Sequence, residues 1–287
     1  MTRIAFHGQP GAYGEAAALG YGGESAVAVP CAGFGAVVEE VESGRAALGI
    51  LPVENSQAGA VHESLELIFL HPRLHLVGEY ELKVRHCLLA VPGESLDTLV
   101  RVRSHPQALA QCAPFLARHR LQLVTGTDTA GCARDVALMK VKGEGAIASR
   151  RAAELYGLEV LAEEISADAH NTTRFRVIAR APHGPMTPGT AVTTVLAFTL
   201  APPVAITQVI VALSSSGLAI LNFHRQPSGR GQWEQLFFVE LQAFGSDERL
   251  STLLEQLGRS TREVRQLGSF PSAAAPSVPP GRPSFKD

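Results

Sequence analysis

Arg3-Ile4-Ala5-Phe6 is a short apolar alternation that reads as a strand, and the Gly- and Ala-rich Tyr13–Gly20 after it reads as a helix. The same change of period recurs along the next 160 or so positions, about one domain's worth of chain. Ala46–Val53 is a nearly unbroken apolar run, as expected of a strand covered on both faces; Pro52 and the polar segment 54–59 end it. Val61–Leu70 has helical spacing, while His86–Gly93 and Leu99–His105 read as further strands. Pro106–His119 is helical at least as far as Pro114. A helix over 127–138 starts at Asp128 or Thr127 as its cap, and Gly143–Ser149 leads into a helix over 150–157 that Gly157 closes. Strand and helix alternating in this way predict an α/β fold with a mostly parallel sheet.

From Ala191 to Phe223 there is no Asp, Glu, Lys or Arg. That stretch is long enough to span a bilayer. Pro202-Pro203 and Ser214–Gly217 interrupt it, however, and its period changes: 193–200 reads as a strand, 206–213 as a helix and 218–223 as a strand. A buried βαβ unit accounts for it, and no membrane association is expected. With a strand near 232–241, a helix beyond it and a last strand near 262–270, residues 191–268 follow a βαββαβ plan, which suits a ferredoxin-like sandwich. The Pro/Gly-rich 181–190 is a linker, and 269–287 has the composition of a disordered tail.

Composition narrows the function classes. A formal charge of −2 with 18% charged residues leaves no electrostatic footprint for nucleic acid. The four cysteines are widely spaced and the chain starts straight into a strand without an apolar leader, so reduced thiols and a cytoplasmic location are expected. Of the ten histidines, His71 and His75 stand at i, i+4, but Pro72 breaks the helix that would align them, so no metal and no other cofactor is implied.

Open α/β sheets bind ligands beyond the carboxyl ends of their strands. There this chain places His7–Gly11 and Tyr13, then Glu54, Asn55 and Ser56, then Ser104, His105 and Gln107, then Thr127, Asp128 and Thr129. Several open helices, where free N–H groups favour an anion. Each is equally explained as a cap; together they suggest a polar cleft for a small organic anion. Glu54 is open to two readings, a general acid or base and a solvated loop residue. The glycine spacing fits no nucleotide loop.

The segments FHGQPGAYGEAAAL, LGILPVENSQAGAVHESLELI, HCLLAVPG, SHPQALAQC, TDTAGCARDVA, GAIASRRAAELYGLEVL and NTTRFRVIA occur in the order found in prephenate dehydratases, and over residues 3–180 the chain resembles that family. Residues 191–268 resemble its ACT regulatory domain, most clearly in QWEQLFFVEL. The resemblance implies a two-lobed, periplasmic-binding-protein-like (type II) catalytic domain over 1–180, followed by the ferredoxin-like ACT domain. Lobe 1 would comprise about 1–78 and 168–180, and lobe 2 about 79–167, with crossings near 76–82 and 162–172. It also implies a lyase that removes water and carbon dioxide from prephenate to give phenylpyruvate on the route to phenylalanine, with a homodimer or homotetramer as the assembly.

Within that reaction, expelling hydroxide from an unprotonated alcohol is the hard step, and general-acid help is typically worth about 10²–10⁴-fold. The resemblance assigns that help to Thr173. Arg174 either pairs with a substrate carboxylate or braces its strand. Ser104, Thr127 and Thr129 stand where helix N-termini would hold the side-chain carboxylate. Asn55, Ser56 and Gln107 are neutral positioning groups, and Phe175 packs in the hinge.

The family's ACT domain carries a Pro-Gly-Ala-Leu-like turn and a Glu-Ser-Arg-Pro stretch. Here Pro203-Val204-Ala205-Ile206 and His224-Arg225-Gln226-Pro227 stand in their place. An L-phenylalanine effector would meet Ala205, Ile206, Arg225 and Pro227; losing the glycine and the glutamate argues against strong feedback. With no chorismate mutase segment ahead of the first strand, a monofunctional enzyme is expected. The rivals are arogenate dehydratase and a non-catalytic sensor of small anions or amino acids.

Overall fold

The computed structural model describes residues 1–187, 189–200, 206–228, 230, 234–244 and 247–272. The chain divides into two units, residues 1–75 with 80–181 and residues 76–79 with 182–287.

The first unit is built on two sheets. Its opening elements are β1 (Thr2–His7), α1 (Tyr13–Gly22), β2 (Ala26–Cys31), α2 (Phe34–Glu42), β3 (Leu48–Asn55), the short β4 (Gly59–Ala60) and α3 (His62–Leu70), followed by β5 (His75–Lys83), whose residues 76–79 count with the second unit. The chain then enters a second lobe of β6 (Cys87–Ala90), β7 (Arg101–Ser104), α4 (Pro106–Gln111), α5 (Ala113–Arg118) and β8 (Gln122–Thr125). That lobe is completed by α6 (Thr129–Met139), β9 (Glu144–Ala148), α7 (Arg150–Tyr156) and β10 (Glu159–Ala162), and β11 (Thr172–Ala179) returns to the first sheet.

In the first sheet β1 pairs parallel with β2 and β3, while the returning β11 runs antiparallel to β3. The second sheet has the order β10-β6-β9-β7-β8. There β7 is parallel to β8 and β9, but β6 is antiparallel to both β9 and β10. The expected mostly parallel sheet is therefore two mixed sheets, because the chain passes between lobes by single strands rather than by helical crossovers. Both faces of the second sheet are covered, which is why its central strands read as apolar runs. Leu88, Val102 and Ile147 pack against Leu109 and Leu116 on one side. Leu89, Ala146 and Ala148 pack against Val136 and Ala152 on the other.

The helix expected to continue to Pro114 breaks earlier, at Cys112 (φ −103°, ψ 8°), into α4 and α5. Pro114 then lies in the first turn of α5, where its missing N–H costs nothing. Asp128 caps α6 and Gly157 (φ 66°) ends α7.

The second unit runs β12 (Ala191–Leu200), α8 (Ile206–Ser215), β13 (Ala219–Pro227), β14 (Gln235–Phe244), α9 (Glu248–Ser260) and β15 (Glu263–Pro271). Its strands pair antiparallel in the order β13-β14-β12-β15, the ferredoxin-like arrangement. Leu196, Phe198, Phe237 and Val239 face Val209, Leu213, Leu253 and Leu257 of the two helices. The tail does not start at 269: β15 continues to Pro271 and Ser272 still donates to the Ala191 carbonyl at 3.0 Å. Residues 273–287 lie outside the described residues.

No helix among the described residues is long and apolar enough to cross a membrane.

Candidate active site

A cavity of about 320 Å³ opens between the lobes of the first unit. Phe34, Ile50, Pro52, Val61, Val84 and Phe175 give it an apolar wall. Asn55, Gln107, Gln111, Thr129 and Thr173 contribute neutral polar groups, and His7, His86 and His105 contribute imidazoles. No Lys or Arg is among the lining residues; the N-terminal ends of α1 (Ala12, Tyr13, Gly14) and α6 (Asp128, Thr129) are. The α1 end and the imidazoles can therefore favour an anion there without a full cation, while the Asp128 carboxylate already occupies the α6 end.

Thr173 sits opposite Asn55 in the β11–β3 ladder. The Asn55 side chain is fixed by its own loop: its Oδ1 accepts from the backbone N–H of Gln57 (3.1 Å) and of Ala58 (3.0 Å). Its Nδ2 is thereby turned to the Thr173 Oγ1 (3.0 Å), the Asn171 Oδ1 (2.8 Å) and the Thr172 carbonyl (3.2 Å). Since Thr173 Oγ1 accepts from Asn55, its own O–H is left to donate into the cavity.

The network continues past Asn171, which is fully buried. The Asn171 Nδ2 donates to Gln111 Oε1 at 3.0 Å, and the same oxygen lies 2.9 Å from His86 Nε2. His86 Nδ1 is 2.8 Å from the Tyr13 hydroxyl, which also has the Arg85 carbonyl at 2.8 Å. Burial holds the His86 imidazole below its ordinary value and pushes the Tyr13 phenol well up. Burial also pushes Cys112 up to about 12 and Cys132 up to about 11, so these thiols stay protonated and unreactive at neutral pH.

Of the residues singled out by sequence, Asn55, Gln107, Thr129 and Thr173 line the cavity, whereas Ser56, Ser104, Thr127 and Arg174 do not. Ser104 is fully buried and its hydroxyl donates to the Ile147 carbonyl at 2.7 Å, which ties β7 to β9. Ser56 accepts from the Thr172 N–H at 3.0 Å and braces the two strand ends. Thr127 is exposed; Asp128 takes the cap through the Gly131 N–H at 2.7 Å. Arg174 stands opposite Glu54 in the β11–β3 ladder and pairs with it, while its neighbours Thr173 and Phe175 line the cavity. In this structure the Ser104, Ser56 and Arg174 side chains are engaged with the protein, and for Arg174 the contact is the strand-bracing one of its two readings. Glu54 is half-exposed in that pair and does not line the cavity.

Sequence reasoning passed over Asn171, Gln111 and His86. One signal was available for Gln111: it lies at i+4 from Gln107, on the same face of α4. In the second unit Ile206 starts α8, and Arg225 and Pro227 are exposed on β13. Ala205 lies outside the described residues.

Two lobes of α/β structure with a ligand-sized cavity between them, joined in sequence to a ferredoxin-like unit, define the class of protein. The family model for prephenate dehydratase matches residues 4–183. Arogenate dehydratase 1 of Petunia hybrida is 36% identical over 96% of this chain and 68% of its own. A solved prephenate dehydratase from Arthrobacter aurescens, in complex with L-Phe, is 27% identical with a TM-score of 0.85, covering 96% of this chain and 94% of that one. A structure described as GqqA, a novel type of quorum quenching acylases, is 31% identical with a TM-score of 0.84 over 95% of this chain and 98% of that one. The chain belongs to the prephenate dehydratase family. Its reaction is that of a carbon–oxygen lyase, converting prephenate to phenylpyruvate, water and carbon dioxide.

Proposed function

We propose that Thr173 is the group that assists departure of the ring hydroxyl of prephenate. The balance of the reaction sets the need. The C–O bond breaks with its electron pair leaving on oxygen, the bond to the ring carboxylate supplies a pair to the ring, and carbon dioxide departs. A dianion becomes a monoanion, so each turnover consumes one proton, which ends on the leaving oxygen as water. Thr173 is too weak an acid to store that proton; it acts as an oriented donor to the oxygen. The observation that carries this reading is the Asn55 Nδ2 to Thr173 Oγ1 bond at 3.0 Å, which makes Thr173 an acceptor on the protein side and a donor on the cavity side. The apolar wall suits the ring, and the α1 N-terminus suits the side-chain carboxylate. With no cation lining the cavity, the departing ring carboxylate gains no charge pairing that would oppose its loss. The test is Thr173→Ala against Thr173→Ser under saturating prephenate.

Arogenate is the second reading for the substrate. It carries an ammonium where prephenate has a keto group, and the carboxylate of Asp128 lies on the cavity wall where an ammonium would be accommodated. An assay offering both compounds and following phenylpyruvate and phenylalanine separates the two readings. An acylase activity, the one named for the other similar structure, has weaker support as hydroxyl-nucleophile chemistry, because the Thr173 hydroxyl is held by an amide and not by an imidazole base.

The second unit acts as an ACT module joining copies of the chain into a dimer or tetramer. Its response to L-phenylalanine is weak, a reading supported by the departures at Val204 and at His224–Pro227. L-phenylalanine added to the prephenate assay should leave turnover near its uninhibited value; strong inhibition would overturn this. Four free, buried cysteines fit a reducing cytoplasm.

A further inference from the structure

The hydrogen bonds of the site have a direction, and the direction follows from two backbone donors. Gln57 and Ala58 can only donate, so Asn55 Oδ1 accepts and Asn55 Nδ2 donates to Asn171 Oδ1. Asn171 must then present its Nδ2 to Gln111, whose facing atom is Oε1. An oxygen facing His86 Nε2 at 2.9 Å requires a proton on that nitrogen. At the far side the Tyr13 hydroxyl stands 2.8 Å from both Nδ1 and the Arg85 carbonyl; its one proton can serve either, and a neutral ring with its proton on Nε2 offers Nδ1 as a second acceptor. With its oxygen held by two donors, Gln111 is left with its amide N–H groups for the cavity it lines.

The geometry points to His86 as a positioning residue for the reaction: protonated on Nε2, with Tyr13 against Nδ1, it locks the Gln111 amide so that N–H, and not C=O, faces the substrate. This rests on the reading of the cavity as the dehydration site. The ring itself is 2% exposed, so the arrangement is sealed from water. It is also indifferent to charge. If His86 takes up a proton, both nitrogens donate, Nε2 keeps its bond to Gln111, and the Tyr13 hydroxyl turns to the Arg85 carbonyl 2.8 Å away. The groups bonded to the ring are Tyr13 of α1 and Gln111 of α4; the thiols of Cys87 and Cys112 act on Tyr13, and burial keeps both protonated. Without the ring proton, Gln111 could turn and offer its oxygen to an anionic substrate, an orientation that repels it.

The experiment pairs a spectroscopic reading with a mutant cycle on the full chain. In ¹⁵N-histidine spectra His86 should show a protonated Nε2 at neutral pH, and Tyr13→Phe should let the Nδ1–H form appear. His86→Leu should lower kcat/KM for prephenate about 10–100-fold. His86→Gln, which keeps an N–H at the position of Nε2, should recover most of the loss. In the double variant with Gln111→Leu, the losses should not multiply, since one residue acts through the other. A His86 protonated on Nδ1, or multiplying losses in a double variant that still folds, overturns the inference. So does a failure of His86→Gln to recover activity while the variant remains folded. If Thr173→Ala is inactive while His86→Leu turns over normally, only this inference falls; if Thr173→Ala is active, the reading of the cavity falls first.

Discussion

Asn55 and His86 stand at the two ends of one run of hydrogen bonds, yet they are held in different ways. Asn55 is oriented by the N–H groups of residues two and three places further on, a constraint written into its own loop. His86 is oriented by Tyr13, 73 positions away in sequence, and by Gln111, 25 positions away. One end of the site is built locally and the other is assembled by the fold. Substitutions at the local end should act on chemistry directly, and those at the assembled end should act through orientation and stability.

The largest expected effect is at Thr173, which both ends serve. Thr173→Ala removes the donor to the leaving oxygen and should lower kcat by about 10²–10⁴-fold, the range of general-acid assistance. Thr173→Ser should keep much of the activity, because the hydroxyl survives. Near-normal turnover by Thr173→Ala would end the assignment and with it the contrast.

Next comes Asn55→Ala at the local end. It strips the acceptor from two backbone N–H groups and leaves the fully buried Asn171 Oδ1 without its donor. A buried polar atom left unpaired costs about 1–3 kcal/mol, so Tm should fall together with kcat. If turnover fell while Tm held, Asn55 would be acting on the substrate rather than through Thr173.

At the assembled end the expected effect is a dependence on pH. The folded-state value of His86 lies below its ordinary 6.5, so the unfolded chain binds a proton that the folded chain refuses. Stability from this source is complete above pH 6.5 and is lost as pH falls through the depressed folded value. Thermal melts from pH 7 to 5 should show a declining Tm that flattens in His86→Gln. An unchanged slope in that variant would mean another group carries the acid sensitivity.

The difference between local and assembled also decides what could be read from the sequence. Covered strands such as β3, β9 and β12 announce themselves as apolar runs, and the βαββαβ order of the second unit is legible from its changes of period. Strands β8 and β10 stand at sheet edges and are largely half-buried or exposed, so their apolar pattern is faint, whereas the edge strand β2 is apolar throughout. In the site, Asn55 and Thr173 stand in motifs that sequence carries. Asn171 was in plain view beside them, but nothing in a linear reading says that its side chain is buried against Gln111. Ser104 and Thr127 are open for a related reason: a hydroxyl near a helix start can serve a ligand, a cap or a neighbouring strand, and a linear reading does not choose among them.

Arg174 puts this last point to a direct test and carries the smallest expected effect. A guanidinium next to Thr173 invites assignment to a substrate carboxylate, but its cross-strand partner on β3 is Glu54, with which it pairs. The pair is 22% and 42% exposed, so its contribution is screened and should be about 0–1 kcal/mol. A double-mutant cycle with Arg174→Met and Glu54→Gln should give a coupling of about 0.2–1 kcal/mol in stability. KM for prephenate should stay near its original value in all three variants. Should Arg174→Met raise KM tenfold or more while Glu54→Gln leaves it alone, the arginine must leave its partner when substrate arrives. The cavity would then gain a cation that the unliganded geometry does not place there, and the argument that the α1 end and the imidazoles suffice to hold the anion would have to be given up.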